Sequence, residues 1–259
     1  MNINKMKLSK KINAVASLAA LLIVLASGTA SAQKAPPFSN DILMDNQTYV
    51  FFMVDRLEYN MNSGLNPLVW DAQGYVGKDY NKFWFKTEGE VQTARAEGEM
   101  EFQGLYSHAI TTYFDVQAGL RYDIGYLRGA HRSRGFAVIG LQGLAPYLFE
   151  VDAKLNVSQD GDLSARVEAK YDFPITQRLW GQTRIETSAA AQEVKEWGIG
   201  AGLNEIQLGF RLRYEIKREF APYLGISWNR KLGPTADLRR TEGGSANVVG
   251  LVGGLRMWF

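Results

Sequence analysis

Apolar and polar residues alternate strictly along several segments of the chain. In residues 113–124, every second side chain from Phe114 to Ile124 is apolar, and the positions between them include Asp115 and Arg121. The same alternation recurs over residues 147–156, 162–173 and 204–216. Side chains along a β-strand point alternately to its two faces. The pattern therefore predicts strands with one apolar face and one charged face.

Twelve such segments can be placed along the chain, with ten as the alternative count. They lie at 49–60, 66–78, 82–91, 98–109, 113–124, 135–144, 147–157, 162–173, 178–188, 202–216, 221–231 and 247–259. Transmembrane strands need about 9–11 residues, with apolar side chains toward lipid and polar ones toward the lumen. A soluble β-sandwich also alternates, but aromatic residues at the strand ends suit a membrane interface. We therefore predict an all-β fold, a transmembrane antiparallel up-and-down barrel.

The last segment and the connections agree with a barrel. Alternate apolar residues lead from Val249 to Phe259, a pattern that resembles the C-terminal signature read by the barrel-insertion machinery. Short connections are predicted at 79–81, 110–112, 145–146, 174–177 and 217–220, and longer ones at 125–134, 189–201 and 232–246. Short periplasmic turns and long outer loops are typical of these barrels.

The first strand is irregular. Val50, Phe52 and Val54 share a parity with Arg56 and Glu58, so an unbroken strand would place charges on its apolar face. This predicts either a β-bulge or an upper part that leaves the membrane.

The beginning of the chain has the features of an export signal. Lysines precede an apolar stretch from Ile12 to Ser27, and Ala30-Ser31-Ala32 forms a small-residue cleavage site. An uncleaved anchor is the alternative, but a spanning helix needs about 20 apolar residues. We expect a cleaved signal peptide at 1–32, a short disordered periplasmic lead at 33–48 and the barrel at 49–259.

Cleavage of the signal changes the charge. The signal holds four of the 29 basic residues and none of the 27 acidic ones, which leaves 25 against 27 and a formal charge of −2. No basic patch then remains for a nucleic acid, and the absence of cysteine excludes disulfides and thiolate metal sites. Ser107 and His108 are adjacent in a predicted strand and point to opposite faces. With no nucleophile–base pair, we expect no enzymatic activity.

Inward-facing charges of both signs are numerous. The acidic ones are Asp71, Glu88, Glu90, Glu99, Glu101, Asp115, Asp123, Glu150, Asp152, Glu168, Glu186, Glu205 and Glu215. The basic ones are Lys82, Lys86, Arg121, Lys154, Arg166, Lys170, Arg178, Arg184, Arg211 and Arg213. A twelve-stranded barrel must have its interior filled or wetted. A structural ion-pair lattice and a cation path lined by acids both fit this pattern.

Soft metal donors are few. Thioether and imidazole groups suit copper, and three methionines of the lead and first strand could approach one another near the barrel mouth. The candidate metal ligands are Met44, Met53, Met61, Asp55 and His108.

Several longer motifs carry a resemblance to a known family. They are NPLVWDAQ at 66–73 with GKD at 77–79, KTEGE at 86–90, LYSH at 105–108, GLQGLAPYLFEVDA at 140–153 and RLRYEIKREFAPYLG at 211–225. Together they resemble the copper resistance protein B family of outer-membrane proteins, over about residues 48–259.

The resemblance implies an outer-membrane barrel that serves copper tolerance and binds copper ions or moves them across the outer membrane, without enzymatic turnover. Family members commonly carry a Met/His/Asp-rich tract before the barrel, whereas residues 33–48 here hold one methionine, Met44, and no histidine. Any copper site would then lie in the barrel or its mouth. The alternative is a passive pore, or a structural barrel with a salt-bridged lumen and no specific copper site.

The expected partners follow from the location in the cell outer membrane. They are copper ions, outer-membrane lipid and lipopolysaccharide, and, as the resemblance implies, a periplasmic copper oxidase. Arg128, His131, Arg132 and Arg134 form a candidate lipopolysaccharide patch in a predicted loop, with a merely solvated loop as the alternative. We expect a monomer because a closed barrel leaves no strand edge to pair.

Overall fold

The alternating segments form the strands of the structure, a computed structural model that describes residues 47–62, 66–92, 97–127 and 130–259. The strands are β1 (Tyr49–Asn62), β2 (Pro67–Gly77), β3 (Asn81–Gln92), β4 (Glu97–Ala109), β5 (Phe114–Leu127), β6 (Ala130–Ala145), β7 (Phe149–Ser158), β8 (Leu163–Pro174), β9 (Leu179–Ala190), β10 (Gly202–Tyr214), β11 (Phe220–Lys231) and β12 (Asn247–Trp258). All described residues belong to one compact unit, residues 45–259. The predicted signal peptide at 1–32 and residues 33–46 of the predicted lead lie outside the described residues.

The strands form one closed antiparallel sheet. Each strand pairs with its neighbours in the chain, and β1 also pairs with β12. At this seam the Phe52 N–H donates to the Phe259 carbonyl at 3.1 Å, and the Phe259 N–H donates to the Phe52 carbonyl at 2.8 Å. The up-and-down barrel and its count of twelve strands are confirmed, and the alternative count of ten is wrong.

The two faces of the sheet differ sharply in character. Leu120 and Leu224 point outward and are each 70% exposed, whereas the inward Gln117 and Arg211 are 1% and 3% exposed. Exposed leucine and buried arginine reverse the distribution found in water-soluble proteins. A lipid-facing exterior and a polar interior account for this reversal.

The first strand contains a β-bulge, one of its two predicted outcomes. The register of β1 against β2 shifts between Val54 and Arg56. As a result Asp55 and Arg56 are both buried in the interior. The extra residue moves Glu58 inward and Leu57 outward. Without the bulge, Glu58 would face lipid.

Connections at the two ends of the barrel differ in length. At one end, the short-turn end, the chain turns within 78–80, 110–113, 146–148, 175–178 and 215–219. The opposite end, the long-loop end, carries the extended connections 191–201 and 232–246. The second of these contains a helix, α1 (Gly233–Thr241), which the alternation did not predict. No helix among the described residues is long and apolar enough to cross a membrane.

The predicted long loop at 125–134 is wrong. Strand β5 continues to Leu127 and β6 begins at Ala130. Gly125 pairs with Arg132, and Asp123 pairs with Arg134. The basic residues indicated a solvated loop, but they occupy alternate positions and follow the period of a strand. The β5–β6 hairpin therefore extends beyond the residues that were predicted to span the membrane.

Candidate functional site: the charged interior

Six inward carboxylates lie side by side on β2–β5, and we call them the acidic wall: Asp71, Glu88, Glu90, Glu99, Glu101 and Asp123. Glu88 lies opposite Glu101 on the adjacent strand, and Glu90 lies opposite Glu99. Such directly opposed residues have their Cβ atoms about 4.5–5.5 Å apart, so like charges there repel. The acidic wall therefore needs cations from other parts of the barrel.

Cations from the far side of the barrel reach this wall. Arg166 on β8 lies 3.3 Å from Glu88 and 3.3 Å from Glu101. Lys170 on the same strand lies 2.8 Å from Asp55 of β1. Strand β8 is four or five strands away from each of these partners in the closed sheet. These ion pairs therefore cross the interior.

The ion pairs join into a connected network. Arg166 also contacts Glu186 at 3.5 Å, and Glu186 contacts Arg184 at 2.6 Å. Arg184 pairs with Glu168, which contacts Lys170 at 2.7 Å. These groups are largely removed from water. The desolvation cost of each charge is therefore offset by its ion-pair partners.

Two further clusters tie distant strands together. Lys86 of β3 donates to Asp152 of β7 at 2.9 Å. Arg211 of β10 donates to both carboxylate oxygens of Glu58 at 2.9 Å, and the Tyr223 hydroxyl donates to the same carboxylate at 3.1 Å. Two parallel bonds from one guanidinium to one carboxylate are the strongest form of this interaction.

Part of the interior is apolar, which the sequence did not predict. Leu105, Phe136 and Val138 form a buried cluster against which Trp84 packs. These side chains come from β3, β4 and β6 and occupy positions that alternate with lipid-facing ones. The interior is thus filled by apolar packing as well as by ion pairs.

A cavity of about 270 Å³ remains beside the acidic wall, toward the long-loop end. Its lining includes Glu90, Glu99 and Glu205, together with six arginine and lysine side chains, among them Lys231. Glu99 lies 2.6 Å from Arg132, and Glu205 pairs with Lys231. Glu90 has no ion-pair partner among the residues that the structure describes. The cavity therefore holds the least neutralised part of the acidic wall.

Trp197 in the 191–201 connection also lines the cavity. The Arg132 guanidinium lies 4.3 Å from the centroid of its ring, and the Arg134 guanidinium lies 4.9 Å from it. Arg132 also donates to the Glu196 carbonyl. Cation–π contacts of this kind hold the tryptophan in place, so the 191–201 connection forms a cover at the cavity.

Helix α1 braces this cover. The Gly200 N–H donates to the Thr235 hydroxyl oxygen at 2.9 Å. A Cβ atom on Gly200 would lie 2.6 Å from the Thr235 backbone nitrogen, so this close approach requires glycine. The two long connections are therefore packed against each other.

The barrel sequence matches a known protein family along its whole length. The sequence profile of the family described as "Copper resistance protein B precursor (CopB)" matches residues 48–259. The chain belongs to the copper resistance protein B family. Copper resistance protein B of Escherichia coli is 37% identical over 215 residues, which are 83% of this chain and 71% of that protein. The Copper resistance protein B homolog of Pseudomonas syringae pv. tomato gives the same figures. The predicted family is confirmed, and membership supports a role in copper resistance.

The solved structures of similar shape include two porins. The NanC porin aligns with a TM-score of 0.51 at 10% identity and covers 80% of this chain and 98% of its own. The KdgM porin aligns with a TM-score of 0.47 at 10% identity and covers 80% and 99%. At this identity the likeness to NanC shows the fold alone. The family and the barrel together support a location in the outer membrane.

The metal ligands predicted from the sequence of this copper resistance protein B family member do not all lie together in the structure. Met53 and Asp55 point inward near the short-turn end, whereas Met61 points outward at the long-loop end and is 53% exposed. Eight residues of strand separate Met53 from Met61, about 26 Å. His108 is exposed, with its Nδ1 2.8 Å from the Asn81 amide oxygen. Met44 lies outside the described residues. The structure therefore does not bring this set together.

Cations already occupy the surroundings of the inward pair. The Met53 sulfur accepts a hydrogen bond from Arg256 at 3.5 Å, and Asp55 contacts Arg256 at 3.1 Å. Across residues 47–259, as far as they are described, no group of three or more histidine, cysteine, aspartate or glutamate side chains is placed to hold a metal ion. A copper ion would therefore have to use fewer protein ligands or displace a cationic side chain.

The candidate lipopolysaccharide patch does not form as predicted. Arg132 and Arg134 turn inward to Trp197, because both occupy inward positions of β6. His131 lies on the outward face against Tyr126, at 4.6 Å between ring centroids. Arg128 lies outside the described residues.

Proposed function

We propose that this barrel serves copper resistance by binding copper ions in the cavity beside the acidic wall, without catalytic turnover. The observation that supports this most is the pair of directly opposed carboxylates Glu90 and Glu99. Within the described part of the chain Glu90 makes no ion pair, and the cations Lys231 and Arg239 act on it only from a longer distance. A cation held between the two carboxylates would relieve their repulsion. Membership in the copper resistance protein B family supports copper as that cation.

The available donors favour Cu(II) over Cu(I). Carboxylate oxygens suit Cu(II), whereas thioether sulfurs suit Cu(I). Of the methionines whose side chains are described, Met53 faces the interior, and its sulfur already accepts a hydrogen bond from Arg256. Met61, Met100 and Met257 occupy outward positions of their strands, and of these Met100 is buried and borders the cavity.

The ion-pair network bears on how copper would move. Below the cavity, side chains from opposite walls meet, as in the pairs of Arg166 with Glu88 and Lys170 with Asp55. An ion that passes inward would have to exchange with these cations. We infer that copper is bound and released stepwise and does not diffuse freely. A periplasmic copper oxidase, the partner implied by the family, would receive it at the short-turn end.

Copper bound to the purified mature barrel tests the proposal. After equilibrium dialysis against Cu(II), elemental analysis of the wild type is expected to give stoichiometric copper. The Glu90→Gln/Glu99→Gln variant should lose most of it, because the amides remove both negative charges and keep the shape. Glu219→Gln removes an exposed carboxylate at the short-turn end and serves as the matched control. Wild-type copper in the double variant would contradict the proposed site.

Methionine variants in the same assay test the thioether ligands predicted from the sequence. If carboxylates hold the copper, Met53→Leu and Met61→Leu bind as much as the wild type. Loss of copper in Met53→Leu, with retention in the double glutamine variant, would instead favour a site near the short-turn end.

A structural barrel with a salt-bridged interior and no specific copper site is the second candidate. The network favours it, because the acidic-wall carboxylates other than Glu90 each have a basic partner. Copper tolerance of a deletion strain separates the two. Equal rescue by the wild type and by Glu90→Gln/Glu99→Gln supports the structural barrel, and rescue by the wild type alone supports copper binding.

A further inference from the structure

One charged residue stands out on the lipid-facing surface. Over every described side chain that points outward from the twelve strands, Arg230 is the single aspartate, glutamate, lysine or arginine. Its register places it on the face of Ile206 and Asn247, while the next residue, Lys231, turns inward to Glu205. A charge on this face is costly at the membrane centre, by about 2–4 kcal/mol, and is tolerated near the interface.

Arg230 lies at the end of an apolar stripe on β11. Leu224 and Ile226 are exposed to lipid, Trp228 follows, and Arg230 comes next toward the long-loop end. The Trp228 ring nitrogen donates to the Asn247 side-chain oxygen at 2.6 Å. A tryptophan at this position marks the interface between hydrocarbon and headgroups. Arg230 is therefore at the level of the headgroups.

A second arginine meets Arg230 across a groove. Arg230 and Arg240 of α1 both line a cavity of about 350 Å³ between the ends of β11 and β12 and the helix. The helix is held in place, since Thr235 and Ala236 are buried. Asp237 also lines the groove and lies 2.8 Å from Arg240 in an exposed ion pair, so a bound phosphate would compete with this carboxylate for Arg240. The groove thus presents two guanidinium groups and one carboxylate beside the level of the headgroups.

We propose that this groove binds the phosphate of a phosphorylated glycolipid of the outer leaflet. Long loops of such barrels face outward and short turns face the periplasm, which places Arg230 in the leaflet that holds lipopolysaccharide. Guanidinium groups bind phosphate through paired, charge-assisted hydrogen bonds. The apolar stripe of β11 below the groove is positioned to contact the acyl chains of the same molecule.

Binding of lipid A to the purified, folded barrel in detergent tests this proposal. The wild type is expected to bind phosphorylated lipid A more tightly than dephosphorylated lipid A. Arg230→Gln/Arg240→Gln should weaken binding of the phosphorylated lipid about tenfold, as expected for the loss of a charge-assisted hydrogen bond. Arg178 was predicted to face inward but is exposed in the turn before β9, so Arg178→Gln is the matched control and should bind as the wild type does.

Three results would overturn the proposal. They are unchanged affinity in Arg230→Gln/Arg240→Gln, equal affinity of the wild type for phosphorylated and dephosphorylated lipid A, and equally tight binding of phosphatidylglycerol. Heat-dependent migration of each variant in a detergent gel reports whether the barrel is folded. The single variant Arg230→Gln, which alters one exposed side chain, provides the same comparison if the double variant does not fold.

Discussion

At the scale of single residues, buried ion pairs stabilise the interior of the barrel. Glu58 and Arg211 are almost wholly removed from solvent and face each other with two hydrogen bonds. An exposed ion pair contributes about 0–1 kcal/mol. A buried charge that loses its partner costs about 3–5 kcal/mol, because desolvation of the remaining group is no longer compensated.

Glu58→Gln should therefore destabilise the barrel by about 3–5 kcal/mol, since Arg211 would stay buried and charged. Urea unfolding in lipid vesicles, followed by tryptophan fluorescence, measures the effect. Glu219→Gln, in an exposed turn, should change the free energy of unfolding by less than about 0.5 kcal/mol. If Glu58→Gln unfolds at the same urea concentration as the wild type, this ion pair does not support the fold.

At the scale of elements, the alternation of apolar and polar residues was enough to predict the strands. It was not enough to predict the structure at the long-loop end. Alternation predicted all twelve strands, and the parity conflict between Val54 and Arg56 predicted the bulge as one of two outcomes. Arg132 and Arg134 were assigned to a loop because arginine occurs both in loops and on inward strand faces. Helix α1 was missed because only Thr235 and Ala236 of its nine residues are buried, which leaves no apolar period to detect.

The cover formed by the 191–201 connection should open when Trp197 is removed. Its two cation–π contacts, at about 0.5–1 kcal/mol each, correspond to about a fivefold to thirtyfold change in the open population. The chain has no cysteine, so Gln207→Cys in the cavity lining can report access through its rate of thiol labelling. Trp197→Ala should raise that rate by this factor, and Trp197→Phe, which keeps an aromatic face, should raise it less. An unchanged rate in Trp197→Ala would show that Trp197 is not a cover.

At the scale of the whole molecule, contacts across the interior were beyond prediction. The sequence correctly assigned Glu88, Glu101 and Arg166 to inward positions, because period two determines which face a side chain occupies. Which residues then meet depends on the tilt and stagger of the closed sheet. Lys170 and Asp55 are 115 residues apart in the chain and touch only because β8 faces β1 across the barrel. Met53 and Met61, which sequence proximity had grouped, are instead separated by the length of strand between them, about 26 Å.

The most direct test concerns the claim that side chains from opposite walls close the lumen. Planar-bilayer recording of the purified wild-type barrel measures this as ion conductance. Cross-lumen ion pairs and the Leu105–Phe136–Val138 cluster predict no stable conductance above that of the bare bilayer. Salt weakens such buried pairs much less than exposed ones, so the result should hold at high salt. A steady, ohmic, porin-like conductance in the unmodified protein would contradict a closed interior and the stepwise handling of copper inferred from it.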